Sequence, residues 1–203
     1  MISGGLKGRS VGNGGVALGA RRSLGFTLVE LMVTLAIAAV LMMVAVPSFQ
    51  SYARNAAVTR VSGNFFNATQ LARANAMRMS RHTLVQVVDA DLGWVGGWRV
   101  YADLDRDMAY TAATDTLIVE EGPVGDGVMS NGDSDNNLDN RGTLEGGFLL
   151  FNPAGFPRSA SDGIAAGSVV FYLPEGRATA VVFSNAGRIR RCDPTKTGCR
   201  PTS

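Results

Sequence analysis

Residues 26–46 form an apolar run that only Thr27, Glu30 and Thr34 interrupt. At about 1.5 Å per residue, a helix of that length spans roughly 31 Å, close to the hydrocarbon thickness of a bilayer. Lys7, Arg9, Arg21 and Arg22 precede the run, with no acid among them. Positive charge favours the cytoplasmic side, so residues 1–25 are expected inside and everything after Pro47 outside. The chain reads as a single-pass membrane protein with its C-terminal domain outside the cytoplasm.

A secretory signal peptide is the competing reading of this segment. Ala36-Ile37-Ala38 offers a small-x-small cleavage pattern after an apolar stretch that starts at Leu28. The run nevertheless continues to Val46, and a carboxylate sits inside it. A plain membrane anchor is a second alternative. Glu30 discriminates among them. An ionised carboxylate at the centre of a membrane helix costs about 2.5–3.5 kcal/mol, and less near an end. The span holds no cation to pair with it. Cleavage after Gly25 would create one, because the new α-amine of Phe26 is largely protonated at neutral pH. That amine could pair with Glu30 of a neighbouring copy.

Gly25-Phe26-Thr27-Leu28-Val29-Glu30, followed by the long apolar helix, resembles the prepilin-peptidase signature of type IV pilins and type II secretion pseudopilins. The resemblance implies cleavage between Gly25 and Phe26, N-methylation of Phe26 and packing of the helix into a filament core, with Glu30 serving assembly. Methylation leaves the amine charged. Prepilin peptidase and other pilins or pseudopilins are the implied partners.

Beyond the span, Val58, Val61, Phe65, Ala68, Ala72, Ala76 and Met79 recur at helical spacing. They predict an amphipathic continuation of the helix over 47–82, ending near Ser80-Arg81-His82, with a bend at Pro47. The periodicity then changes. Thr83–Asp89, Gly97–Asp103, Thr116–Glu121, Gly147–Asn152, Ser168–Leu173 and Ala178–Ser184 are short and bounded by turn formers. A long helix followed by mainly antiparallel strands is an α+β layout. The expected organisation is a cleaved leader (1–25), a transmembrane helix (26–46), the amphipathic continuation (47–82) and a β-rich domain (83–191). An exposed acidic loop (122–146) lies within that domain, and a disulfide-closed basic tail (192–203) follows it.

This order is similar to that of the family of secretion pseudopilin H and the pilus assembly protein FimT. Gly97-Trp98-Arg99-Val100-Tyr101-Ala102-Asp103, Phe151-Asn152-Pro153-Ala154-Gly155 and Ser184-Asn185-Ala186-Gly187-Arg188 also look like it. The resemblance implies a minor pilin that assists pilus assembly, or else a type II secretion pseudopilin. A membrane-anchored periplasmic binding domain outside any filament is the reading from a different class.

Charge is segregated along the chain. Residues 89–145 carry 13 acids against Arg99, Arg106 and Arg141. Residues 177–203 carry six basic residues against Asp193 alone. Nothing here supports an enzyme. One histidine, His82, stands at the expected helix end, and one His with two Cys cannot make an ordinary zinc site. Asp103-x-Asp105-x-Asp107 and Asp133-x-Asp135-x-Asn137-x-Asp139 imitate the start of a calcium loop. Both lack its sixth-position Gly and twelfth-position Glu, so no metal and no cofactor is expected.

Cys192 and Cys199 are the two cysteines, and an oxidising compartment favours a disulfide closing an eight-residue loop. Immediately before them stands Gly187-Arg188-Ile189-Arg190-Arg191. In an extended segment Arg188 and Arg190 share a face, and arginine's planar fork suits phosphate. Lys196 and Arg200 flank the loop. Gly187-Arg188-x-Arg190 resembles the Gly-Arg-x-Arg motif of FimT-type minor pilins, which implies DNA binding without base preference during uptake, through Arg188, Arg190 and Arg191.

Overall fold

In the computed structural model, residues 26–125, 127–130, 147–196, 198 and 199 are described. The expected leader, Gly25 and the Asp133–Asp139 pattern lie outside them. The chain divides into two compact units, Met1–Val44 and Ala45–Ser203.

One helix, α1 (Leu28–Met79), contributes to both units. In the first unit every described residue is exposed. The helix there is long and apolar enough to cross a membrane. Pro47 lies within α1; lacking an N–H, it leaves the Met43 carbonyl without its usual partner. The helix ends at Met79 because Ser80 turns left-handed (φ 52°), and the Arg81 amide then donates to the Ala76 carbonyl at 3.2 Å. That six-to-one bond satisfies a carbonyl the helix end would otherwise orphan.

In the second unit the expected apolar stripe is the buried face of α1. Val58, Phe65, Ala72 and Ala76 are fully buried. Ser62, Thr69 and Asn75 share that face at little cost, since each side chain donates to a helix carbonyl three or four residues back.

Among the described residues, nine strands form two antiparallel sheets. The first has β1 (His82–Asp89), β2 (Gly93–Asp103), β3 (Thr116–Glu121), β5 (Phe148–Phe151) and β6 (Pro157–Arg158), in the order β3-β2-β1-β5-β6. The second has β4 (Met129–Ser130), β7 (Gly167–Tyr172), β8 (Ala178–Phe183) and β9 (Ile189–Cys192), in the order β4-β7-β8-β9. Phe65 joins helix and both sheets. Its ring meets Trp94, Trp98 and Phe171 edge-on at 4.9, 5.2 and 5.4 Å. This is the α+β architecture expected from the sequence.

Each sheet also carries a smaller apolar cluster on its other face. Leu84, Tyr101 and Leu150 lie under Met108 and Tyr110 of the loop after β2. Val170, Tyr172, Ala180 and Val182 pack with Cys192 and Cys199.

Several boundaries differ from those read in the sequence. His82 is not on the helix; it opens β1 and pairs with Asp103. The second strand starts at Gly93: it runs through Gly96-Gly97 without breaking, with Gly97 at a positive φ of 98° that glycine tolerates. Residues 122–146 are not all exposed loop: Val128 is buried and Met129–Ser130 pair with β7. The basic segment before Cys192 forms β9, an edge strand of the second sheet.

Candidate functional site

The N-terminal candidate begins with a helix start. The Glu30 amide donates to Thr27 Oγ1 at 3.2 Å, and the Leu31 amide donates to the Thr27 carbonyl at 3.1 Å. Thr27 is thus the N-cap, and Thr27-x-x-Glu30 has the spacing of a capping box. Phe26 and Glu30 are both exposed, with Phe26 outside the helix. Thr, a strong capping residue, therefore holds Glu30 in the first turn, where the helix dipole favours a carboxylate.

The C-terminal candidate is the hairpin of β8 and β9. Phe183 pairs with Ile189, Val182 with Arg190 and Val181 with Arg191. Ser184 closes the turn: its amide donates to the Arg188 carbonyl, its carbonyl accepts from Gly187, and its hydroxyl accepts from the Arg188 amide. Gly187 sits at φ 77°, a region that L side chains rarely adopt. A Cβ there would also come within 2.9 Å of the Gly155 carbonyl oxygen. The glycine of the basic motif is therefore required by the close approach of two turns, 152–156 and 184–188. Arg73 of α1 holds them, its Nε donating to the Gly155 carbonyl at 3.0 Å.

The three arginines do not converge. Arg188 is exposed at the turn, and Arg190 is half-buried. Strand alternation puts Arg190 on the same side as Cys192 and Arg191 on the side of Ile189, which belongs to the helix-facing core. The Arg191 guanidinium lies over the Phe66 ring, 5.5 Å from its centre. Gly63 leaves room for it, since a Cβ there would stand 3.2 Å from Arg191 Nη1.

Cys192 and Cys199 form a disulfide. Its loop does more than stiffen a tail, because both cysteines seal the apolar cluster on the second sheet. The chain-entropy contribution of an eight-residue loop is about 2.5 kcal/mol, and the burial of Cys199 adds to it. Within the loop, hydrogen bonds from the Thr195 hydroxyl and amide hold the Asp193 carboxyl below the usual range.

A third grouping joins residues far apart in sequence. Carboxylate oxygens of Asp103, Asp105 and Asp115 lie within 4.8 Å of one another. Asp115 was not readable as a member, since no spacing rule links it to Asp103. Backbone donors occupy this cluster. Asp103 accepts from Arg106 and Met108, and Asp115 accepts from Leu104 and Thr111. The cluster thereby folds the loop over Tyr101. Burial raises the Asp103 carboxyl above its ordinary value, the two backbone donors oppose this, and Asp115 and Asp105 add to the rise. A carboxyl raised on folding contributes stability that is full below the unfolded pKa and lost as pH rises through the folded one. Burial first, then Asp103, pushes the Tyr101 phenol well above its usual range.

Comparison with known proteins bears on the N-terminal candidate and on the β domain as far as Gly187. Residues 20–46 match the prokaryotic N-terminal methylation motif, and residues 61–187 match the type II transport protein GspH. The chain is similar in structure to the type IV minor pilin FimU of Pseudomonas aeruginosa. In one crystal form of FimU the TM-score is 0.52 at 14% identity, over 68% of this chain and 90% of that one. In another it is 0.48 at 15% identity, over 68% and 94%. At such identities the likeness is one of fold. No curated protein matches the chain.

Proposed function

This chain belongs to the type II transport protein GspH family, and from that premise we propose that it is a minor pilin-like subunit, incorporated into a type IV pilus-like filament and contributing to DNA capture. The observation that carries the filament reading is the N-terminal methylation motif over residues 20–46, continuous with an exposed apolar helix. Processing by prepilin peptidase between Gly25 and Phe26, followed by methylation of Phe26, leaves a cation at the head of the helix. Glu30 of a neighbouring subunit is its counter-charge. Before assembly the helix holds the protein in the inner membrane, N-terminus in the cytoplasm and β domain in the periplasm. The protein acts by packing and display, and no residue is assigned a catalytic role.

The DNA reading rests on the hairpin. Arg188 stands exposed on a turn whose shape is set by Gly187, and Arg190 follows two residues later on β9. A strand rises about 3.4 Å per residue, so residues two apart stand roughly 7 Å apart on one face. The long side chains of the two arginines can therefore reach neighbouring phosphates of one strand. The test is Arg188→Ala/Arg190→Ala in the full chain in detergent, titrated with a mixed-sequence duplex. A charge-assisted hydrogen bond is worth about 1.5 kcal/mol or more, so affinity is expected to fall at least about tenfold. Unaltered affinity would sink the DNA reading while leaving the filament reading intact.

The family's own description favours a second reading, a pseudopilin of type II protein secretion. A hairpin dispensable for DNA binding but required for exoprotein release would support it.

A further inference from the structure

Three segments meet at the end of the second unit that carries the Gly187 turn: the last turns of α1, the turn 152–156 and the turn 184–188. Their sequences contain no acid. Neither 65–88, nor 148–161, nor 176–192 has an Asp or Glu, while together they hold Arg73, Arg78, Arg81, Arg158, Arg177, Arg188, Arg190 and Arg191. Some of these have local explanations. Arg78 bonds the Asn75 side chain in the last helical turn, where a cation suits the helix dipole. Arg158 faces Asp162. Arg191 lies over Phe66.

Arg73 is different. It lies six residues before the helix end, too far in for the dipole to explain its charge. One donor, Nε, ties it to the Gly155 carbonyl. Its Nη2 and Cζ lie 3.3 and 3.4 Å from where a Cβ of Gly187 would be. The guanidinium is therefore pressed against the residue next to Arg188. Its Nη groups make no hydrogen bond or ion pair among the described residues. Tying two turns together needs one donor and no charge. A half-buried, oriented cation against the turn that carries Arg188, on segments whose own sequences hold no acid, raises the local positive potential and calls for an anion.

Resting on the reading of the hairpin as a DNA contact, we infer that Arg73 is a further phosphate-binding residue of that site, and that Arg191 is not. The site then consists of Arg73, Arg188 and Arg190, drawn from α1, the turn and β9. Three phosphate contacts give a log–log salt slope of about −2.7, a loss of roughly forty-fold between about 50 and 200 mM salt.

The experiment is a salt titration of duplex binding by the full chain in detergent, with melting curves run alongside. Arg73→Gln is expected to bring the slope to about −1.8, or roughly twelve-fold over the same range. Arg73→Lys restores the charge without the planar fork and is expected to keep the wild-type slope. Arg191→Gln is expected to leave the slope unchanged. A wild-type slope in Arg73→Gln, with binding still lost in Arg188→Ala/Arg190→Ala, would overturn the inference and spare the DNA reading. A shallower slope in Arg73→Lys would make Arg73 a positioning residue only and equally overturn it; this variant decides the matter if Arg73→Gln does not fold. Wild-type protein without affinity for the duplex would remove the DNA reading and the inference together.

Discussion

Phe65→Ala is expected to destabilise the β domain by about 3–5 kcal/mol, the range for truncating a buried aromatic. Phe65 is fully buried and touches rings from both sheets, Trp94 and Trp98 on one and Phe171 and Phe183 on the other. The side chain that would be lost is thus the common element of helix, first sheet and second sheet. A domain of ordinary stability has about 5–15 kcal/mol in total, so the variant loses a large fraction of it. Urea unfolding followed by tryptophan fluorescence measures the change, since both tryptophans line the site. A loss below about 1 kcal/mol would mean that the two sheets are not held through this ring.

The second large effect concerns Glu30. Glu30→Leu makes the apolar helix more apolar, and membrane retention is expected to be normal. Its processing is expected to be normal as well, since Gly25 and Phe26 are untouched. Incorporation into sheared filaments is expected to fall to background, because the Phe26 amine of each neighbour loses its counter-charge in a medium where an unpaired charge costs about 2.5–3.5 kcal/mol at mid-membrane. Filaments carrying the variant at wild-type level would contradict the pairing.

These two residues differ in how openly the sequence announced them. Glu30 stands out because a carboxylate in an apolar run conflicts with its surroundings, and the assembly role proposed for it rests on that conflict. Phe65 was legible only as one member of a helical stripe; that it would sit among four aromatic rings depends on long-range pairing. The helix and the strands β1, β2, β3, β5, β7 and β8 followed from local periodicity. The two-residue strands β4 and β6 did not, since Met129–Ser130 and Pro157–Arg158 have no pattern to read. Nor did β9, whose Ile-Arg-Arg-Cys holds a single aliphatic residue and is a strand because β8 offers it a partner.

The candidate site shows the same division. Gly187, Arg188 and Arg190 are adjacent in sequence and could be read as a motif. That Arg191 turns to Phe66 follows from alternation once β9 exists. That Arg73 joins the Gly187 turn required the helix, the turn 152–156 and the hairpin to be brought together. The Thr27 cap lies between these cases: its spacing to Glu30 is visible, but its meaning depends on the helix starting at Leu28.

The central claim is that this chain is processed into a filament subunit, and the mass of its N-terminus tests that most directly. Protein recovered from the native membrane is expected to begin at Phe26, with one methyl group on the α-amine. An N-terminal peptide still beginning at Met1 would contradict the account and leave an anchored periplasmic domain in its place.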